Sequence, residues 1–328
     1  MNARAASQRL NIVFLALGWP PSHPAGSEVM AHELCKALVS AGHRVTVSVS
    51  RSIHSRGEYE LDGVRVLPFV GKAQDHDRTR DADVIIGHLA DGKRAASYGM
   101  RYRIPTVVIS HNNESLPIGA SLVCFNSEWL ATDHHYTGPS MIVRPHVPIE
   151  QYATTPGDRV TLINTNPAKG VHQVLRIAEA MPDVDFLLVE GTYGGPVRPK
   201  PRPNIEFQPV LPPDEMRDRV YARTRVLLMP SVYESWGRTA IEAAASGIPV
   251  IAHPAPGLQE ALGPAGIFVD RDDTAGWVAA IRRLRDGRSW NAASRRARTR
   301  AADVHAITTA DVAAFVDAVT ALGRRPQR

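Results

Sequence analysis

The sequence predicts an α/β protein made of two doubly wound, Rossmann-like domains. Three observations carry this. Short apolar runs alternate with amphipathic stretches from Asn11 onward, a proline-rich polar break follows Met141–Val143, and the same alternation restarts at Val160. At 328 residues the chain is long for one core and comfortable for two domains of about 150 residues each.

In the first half, Asn11–Leu17 (NIVFLAL) reads as a buried strand, and a glycine- and proline-rich loop runs from Gly18 to Gly26. Ser27 stands where a helix cap is expected, ahead of Val29, Met30, Leu34, Ala37 and Leu38, and Gly42 ends the helix. Strands are predicted at Val45–Val49, Val64–Phe69, Val84–Ile86, Thr106–Ser110 and Leu122–Asn126. The segment RPHVPIEQYATTPGDR is the connection, which gives an N-terminal domain over residues 1–150 and a C-terminal domain over 151–302.

The second half predicts strands at Val160–Ile163, Asp185–Val189, Ile205–Phe207, Val226–Met229, Pro249–Ala252 and Ile267–Val269. Helices are expected over Lys169–Met181, Asp214–Ala222, Thr239–Ser246 and Ala275–Leu284. GTYGGPVRPKPRPN reads as a surface loop with a bearing on substrate access, because prolines remove backbone donors and glycines permit sharp turns. Residues 303–328 form a C-terminal helical region expected to pack back towards the N-terminal domain.

Composition narrows the function. Hydrophobic residues make up 44% of the chain, enough for two cores. The net charge of +5 comes from 38 basic and 33 acidic residues, with arginines scattered through the chain, so anionic ligands are expected and nucleic acid is not. Cys35 and Cys124 form no zinc or disulfide pattern, which points to a reducing, cytoplasmic setting. No apolar run has the length of a membrane span, although peripheral membrane contact stays open. GxGxxG and GxxxxGK[ST] are both absent, which argues against a dehydrogenase with a redox cofactor and against a P-loop NTPase.

Ligands of doubly wound sheets sit beyond the C-terminal ends of the strands, so two facing domains offer a cleft in which each holds one substrate. The informative stretch is Ser231–Asp270, where a strand ends near Met229, a polar turn carries Glu234, and Gly237 opens an alanine-rich helix carrying Glu242. On one helix, carboxylates eight residues apart would stand about 12 Å apart along the axis and roughly 80° apart around it. That is too far for a hydrolytic pair, but it suits gripping two parts of one extended ligand. The NH groups of Gly237, Arg238 and Thr239 are placed to meet a diphosphate between them.

This stretch resembles the retaining GT4 glycosyltransferases of the GT-B fold. Glu234–Glu242 matches their Glu-x7-Glu motif, Ser246–Val250 their small-Gly-x-Pro-Val turn, and Gly257-Leu258-Gln259-Glu260 their Gly-x-x-Glu donor loop. PAGSE (Pro24–Glu28) resembles the family's Gly-Gly-x-Glu loop with Ala25 in place of its first glycine. AGHRVTV, FNSEW and NPAKG follow in the family's order.

The resemblance implies a nucleotide diphosphate sugar as co-substrate, with a UDP-sugar favoured, bound by the C-terminal domain, and a hydroxyl acceptor bound by the N-terminal one. It implies no metal requirement. Carried over, Glu242 accepts from the ribose hydroxyls, Glu234 faces the donor sugar, Lys169 neutralises the diphosphate, and Gly26 lets a loop approach the phosphates. Glu260 contacts or positions the donor. His111, just past the Thr106–Ser110 strand, orients a sugar by hydrogen bonding. The implied reaction retains anomeric configuration by a front-face route in which the leaving diphosphate deprotonates the acceptor. Domain closure would bring Gly26 and His111 towards Glu234–Glu242.

Two departures stand out. Asn164 occupies a position where the family often has arginine, so Arg238 is read either as a compensating phosphate contact or as an outward surface residue. The family's His-Asp pair is His111-Asn112 here. His32, His134 and His135 have no metal-ligand spacing. The competing readings are a nucleotide-sugar epimerase or other GT-B enzyme, and a sugar-nucleotide-binding scaffold without turnover.

Overall fold

The computed structural model describes residues 9–51, 57–192 and 195–324, with backbone only over 72–75. The chain divides into two compact units. The first comprises residues up to Arg144 together with those from Thr309 on, and the second runs from Pro145 to Thr308.

The first unit is ordered β1 (Asn11–Ala16), α1 (Gly26–Ser40), β2 (Arg44–Val49), β3 (Tyr59–Leu61), β4 (Val64–Leu67), α2 (Lys72–Thr79), β5 (Val84–His88), α3 (Ala90–Tyr102), β6 (Thr106–Ser110), β7 (Leu122–Phe125), α4 (Glu128–Asp133) and β8 (Ser140–Ile142). Its sheet order is β3-β4-β2-β1-β5-β6-β7-β8, parallel throughout except for the β3–β4 edge pair. Ile12–Ala16 of β1 are all buried because both faces of this central strand are covered, which is why the run lacks a polar alternation. Ser27 does not cap α1: Ala25 is the N-cap residue, and the Ser27 hydroxyl donates to Glu28 Oε2 at 2.6 Å. Cys35 and Cys124 are buried free thiols, pushed up in pKa by that burial.

The second unit contains α5 (Ile149–Tyr152), β9 (Arg159–Ile163), α6 (Val171–Ala180), β10 (Phe186–Val189), β11 (Ile205–Gln208), α7 (Met216–Arg219), β12 (Thr224–Met229), α8 (Arg238–Ala245), β13 (Val250–Ala252), α9 (Pro256–Leu262), β14 (Ile267–Phe268) and α10 (Thr274–Arg285), and it shares α11 (Gly287–Gly323) with the first. Its parallel sheet runs β11-β10-β9-β12-β13-β14. Chain order thus reverses direction between β9 and β12, as it does between β1 and β5 in the first unit. Such switch points open a crevice at the C-terminal strand ends. The access loop read from the sequence spans this unit, but Tyr193 and Gly194 lie outside the described residues.

The expected helix over Asp214–Ala222 is shorter: α7 covers Met216–Arg219 between two tight 3₁₀ turns. The expected helix at Asp303–Leu322 is the second half of α11, which has 37 residues. By length and composition α11 could cross a membrane, and no other helix among the described residues could. Phe315, Val319 and Leu322 nevertheless fill the first unit's core beside Ile12 and Phe14, while Ala297, Ala301 and Val304 fill the second's. Burying each large side chain of this kind stabilises by roughly 1.5–3 kcal/mol. Within the second unit, α11 also supplies caps. Arg300 donates to the carbonyls of Glu260 and Ala261 at 2.6 and 2.7 Å, and Arg298 to that of Ser246 at 3.2 Å. These are carbonyls at the C-terminal ends of α9 and α8, which have no partner inside their own helices.

Candidate active site

In the second unit, the loops that follow β9, β12 and β13 meet at the switch-point crevice. The first is a double asparagine turn. Asn164 has a left-handed backbone (φ 77°), and its Oδ1 accepts from the Asn166 amide at 3.1 Å. Asn166 Oδ1 in turn accepts from the Ala168 amide at 2.7 Å, leading into the 3₁₀ turn Pro167–Lys169. Asparagine tolerates a left-handed backbone far better than arginine does, because its short side chain bonds its own turn. The departure from arginine therefore has a local cause, and the Asn164 side chain serves the turn that presents Lys169.

The β12–α8 loop is tied to that turn by the Val232 amide, which donates to the Ala168 carbonyl at 2.9 Å. Lys169 Nζ donates to Glu234 Oε1 at 2.5 Å, and the Ser231 hydroxyl reaches the same oxygen at 2.9 Å. The Glu234 side chain is 12% exposed and that of Lys169 31%, so this ion pair is partly shielded from water while Lys169 stays accessible. Gly237 then turns the chain into α8 with φ 89°, and an added Cβ would come within 2.4 Å of Leu258 Cδ2. Thr239 is half-buried on the first turn of α8, its hydroxyl against Met229 Sδ at 3.9 Å.

Gly257, at the start of α9, abuts this turn. A Cβ there would lie 2.3 Å from the Glu234 carbonyl oxygen and from Ser235 C. The Gly-x-x-Glu loop thus packs its backbone directly against the backbone that carries Glu234. Glu260, one turn further along α9, is half-buried.

Glu242 lies on α8 with 6% of its surface exposed. Arg238 Nε donates to its Oε1 and the Tyr221 hydroxyl to its Oε2, both at 2.6 Å. Arg238 also donates to the His146 carbonyl at 2.6 Å and to the Tyr152 hydroxyl at 3.1 Å. Burial opposes its charge, but the Tyr152 phenol and the Glu242 carboxylate outweigh that and hold the guanidinium above its ordinary pKa. Burial first, then the Glu242 charge, push the Tyr221 phenol well up, so it stays a donor. The outward surface reading of Arg238 is corrected: the side chain is buried, and its guanidinium donates to Glu242, the His146 carbonyl and Tyr152. Tyr221 and Tyr152 are absent from the sequence reading, since contacts 21 and 86 residues away leave no local pattern.

In the first unit, Gly26 opens α1, and a Cβ there would meet nothing within 4 Å. Glu28 beside it is fully buried, with His23 Nε2 3.9 Å from Oε1. His111 follows β6, half-buried, and its Nε2 lies 3.2 Å from Nδ1 of the fully buried His88, the last residue of β5. Burial lowers the His111 pKa to about 4. Burial, then the neighbouring His111 and His23, lower that of His88 well below its ordinary value. His88 went unnamed in the sequence reading, although it closes an apolar run (VIIGH) just as His111 closes TVVISH. Among the described residues, no group of three or more His, Cys, Asp or Glu side chains is placed to hold a metal ion.

Residues 164–286 match the sequence model of the family described as "Glycosyl transferases group 1". A D-inositol 3-phosphate glycosyltransferase of Mycobacterium sp. (strain KMS) is 31% identical over 175 residues, covering 45% of this chain and 40% of that protein. The protein of the same name from Streptomyces coelicolor is 36% identical over 128 residues, 37% of this chain and 27% of its own length. The matches thus span less than half of these relatives. Among solved structures, the HepE protein of Anabaena in complex with UDP-glucose superposes with a TM-score of 0.71 at 18% identity, covering 95% of this chain and 98% of that one. Sucrose-phosphate synthase from Thermosynechococcus elongatus gives 0.73 at 16% identity, covering 94% and 100%. The structural likenesses establish the two-domain α/β fold of the GT-B type. The chain thus has the GT-B fold, and its residues 164–286, which carry the Glu-x7-Glu segment, are similar to the group 1 glycosyl transferases.

Proposed function

We propose that this protein is a retaining glycosyltransferase that moves a hexose or N-acetylhexosamine from a nucleotide diphosphate sugar, UDP-linked by preference, to a hydroxyl acceptor. The observation that carries the reading is the Lys169–Glu234 pair at the switch-point crevice, with Glu242 fixed eight residues further on. Lys169 exchanges its carboxylate partner for the diphosphate. The freed Glu234 then faces the sugar, and Glu242 offers its remaining lone pairs to the ribose hydroxyls. The bond from the anomeric carbon to the phosphate oxygen breaks as the acceptor oxygen bonds the same face of that carbon. The acceptor proton passes to the departing diphosphate, whose charge Lys169 stabilises. HepE, crystallised with UDP-glucose on the same fold, supports the choice of UDP. The first unit binds the acceptor. Two buried free thiols support a reducing, cytoplasmic setting.

The test is a panel of UDP-, GDP- and ADP-sugars with mixed hydroxyl acceptors, reading released nucleotide, product mass and anomeric configuration. One donor should yield a glycoside of unchanged configuration. A donor that binds and is recovered as its epimer, or is recovered intact with every acceptor, would reject transfer.

A further inference from the structure

We propose that His88 is a positioning residue that fixes the tautomer of His111: His88 Nδ1–H donates to His111 Nε2, leaving His111 Nδ1–H as the hydrogen-bond donor offered to a sugar hydroxyl. The inference rests on the reading of His111 as a sugar-orienting residue. His88 pairs with Ile109 in the β5–β6 register, so its side chain and that of His111 leave adjacent strand ends at the first unit's own switch point.

The two rings stand edge to face, with centroids 5.2 Å apart and planes 75° apart, and the facing nitrogens are 3.2 Å apart. Two neutral arrangements satisfy that contact. In one, His111 Nε2–H donates to His88 Nδ1, and His88 must then carry its second proton-bearing nitrogen, Nε2, inward. That atom is buried with no hydrogen-bond partner among the described residues, and the ring lies 5.3 Å from the Phe14 ring. An orphaned buried N–H is the rarer and costlier defect. In the other arrangement His88 Nδ1 carries the proton, and its Nε2 presents only a lone pair to the core. The second arrangement therefore wins, and it dictates the state of His111: Nε2 accepts and Nδ1 bears the proton. Nδ1 has no protein hydrogen bond among the described residues.

The charges around the pair agree. Burial keeps both rings neutral near pH 7, and a group with pKa of about 4 is a poor base there, so His111 donates to a hydroxyl rather than removing its proton. The groups packed nearby are His23, itself lowered by burial, and the fully buried Glu28 beyond it.

The experiment is long-range ¹H–¹⁵N correlation on the full chain with ¹⁵N-labelled histidine at pH 7.5, together with steady-state kinetics. In the parent, His111 should show a protonated Nδ1 and a bare Nε2. In His88→Leu its nitrogens should average between tautomers, with turnover down about tenfold and donor KM within threefold. In His88→Asn, whose amide restores a donor near the Nδ1 position, the single tautomer and most of the turnover should return. A merely structural role would lower both variants alike and leave the nitrogen shifts unmoved. Protonation of His111 at Nε2 in the parent, or an unchanged tautomer in His88→Leu, overturns the assignment. Absence of transfer in the parent would reject the functional reading while leaving the tautomer result to decide the pairing.

Discussion

Replacing Arg238 with methionine separates a phosphate-binding arginine from one that holds Glu242. The substitution keeps a flexible apolar stem but removes the donors to Glu242, the His146 carbonyl and the Tyr152 hydroxyl. Glu242, 6% exposed, would keep Tyr221 as its partner and lose its counter-charge. Breaking a buried pair from one side costs about 3–5 kcal/mol, because the stranded charge stays desolvated. Each kcal/mol moves the midpoint by roughly 2–4 °C in a unit of this size, so a drop of about 10 °C is expected by differential scanning fluorimetry. Adding Glu242→Gln removes the stranded charge and should recover more than half of the loss, a coupling of about 2 kcal/mol or more in a double-mutant cycle. The outcome against this reasoning is Arg238→Met melting within 2 °C of the parent while donor KM rises several-fold, the signature of an arginine spent on the phosphates.

Three further outcomes follow from the same geometry. Lys169→Ala should lower kcat about a hundredfold while folding is retained, since its ammonium pairs with a carboxylate at the crevice and not in the core; near-parental turnover would remove it from the chemistry. Gly257→Ala should cost about 1–3 kcal/mol and reduce activity, because its Cβ would meet the Glu234–Ser235 backbone at 2.3 Å, whereas Gly26→Ala should fold normally and show any effect in donor KM. Acid should destabilise the first unit. His111 titrates near 6.5 when unfolded and about 4 when folded, so its contribution is fully present above pH 6.5 and is lost as pH falls through 4. Up to about 3 kcal/mol is at stake, and His88 is shifted in the same direction. Urea midpoints should fall more steeply between pH 7 and 4 for the parent than for His111→Gln.

The sheet strands were legible because buried parallel strands are short apolar runs bounded by turns, as Thr106–Ser110 and Val160–Ile163 show. Strand β3 was not, because Tyr59–Leu61 is a three-residue edge without an apolar run. Helix α3 is harder to read from ADGKRAASYGMRY because its buried face is built from Gly92, Ala95, Ala96 and Gly99 with Tyr98, small residues that leave little apolar signal. At the site, Glu234, Glu242 and Lys169 could be picked out by motif. What surrounds Glu242 could not, since Tyr221, Tyr152 and the His146 carbonyl reach it or Arg238 only through folding. The role of Asn164 depended on a backbone angle, and residue identity alone does not give that.

The C-terminal half of α11 has a consequence for the order in which the protein forms. Phe315, Val319 and Leu322 belong to the core that also contains Ile12, Phe14 and Leu38, whereas the second unit is drawn from one uninterrupted stretch, Pro145–Thr308. During synthesis the unit encoded first is therefore the one completed last. Its sheet, covered in part by Met30, Leu34 and Leu38 of α1, waits for the rest of its cover until the second half of α11 has been made, while the later-encoded unit has everything it needs earlier. Loss of Phe315, Val319 and Leu322 would strike the core built around β1, far upstream in sequence, while leaving the Lys169–Glu234 turn in place.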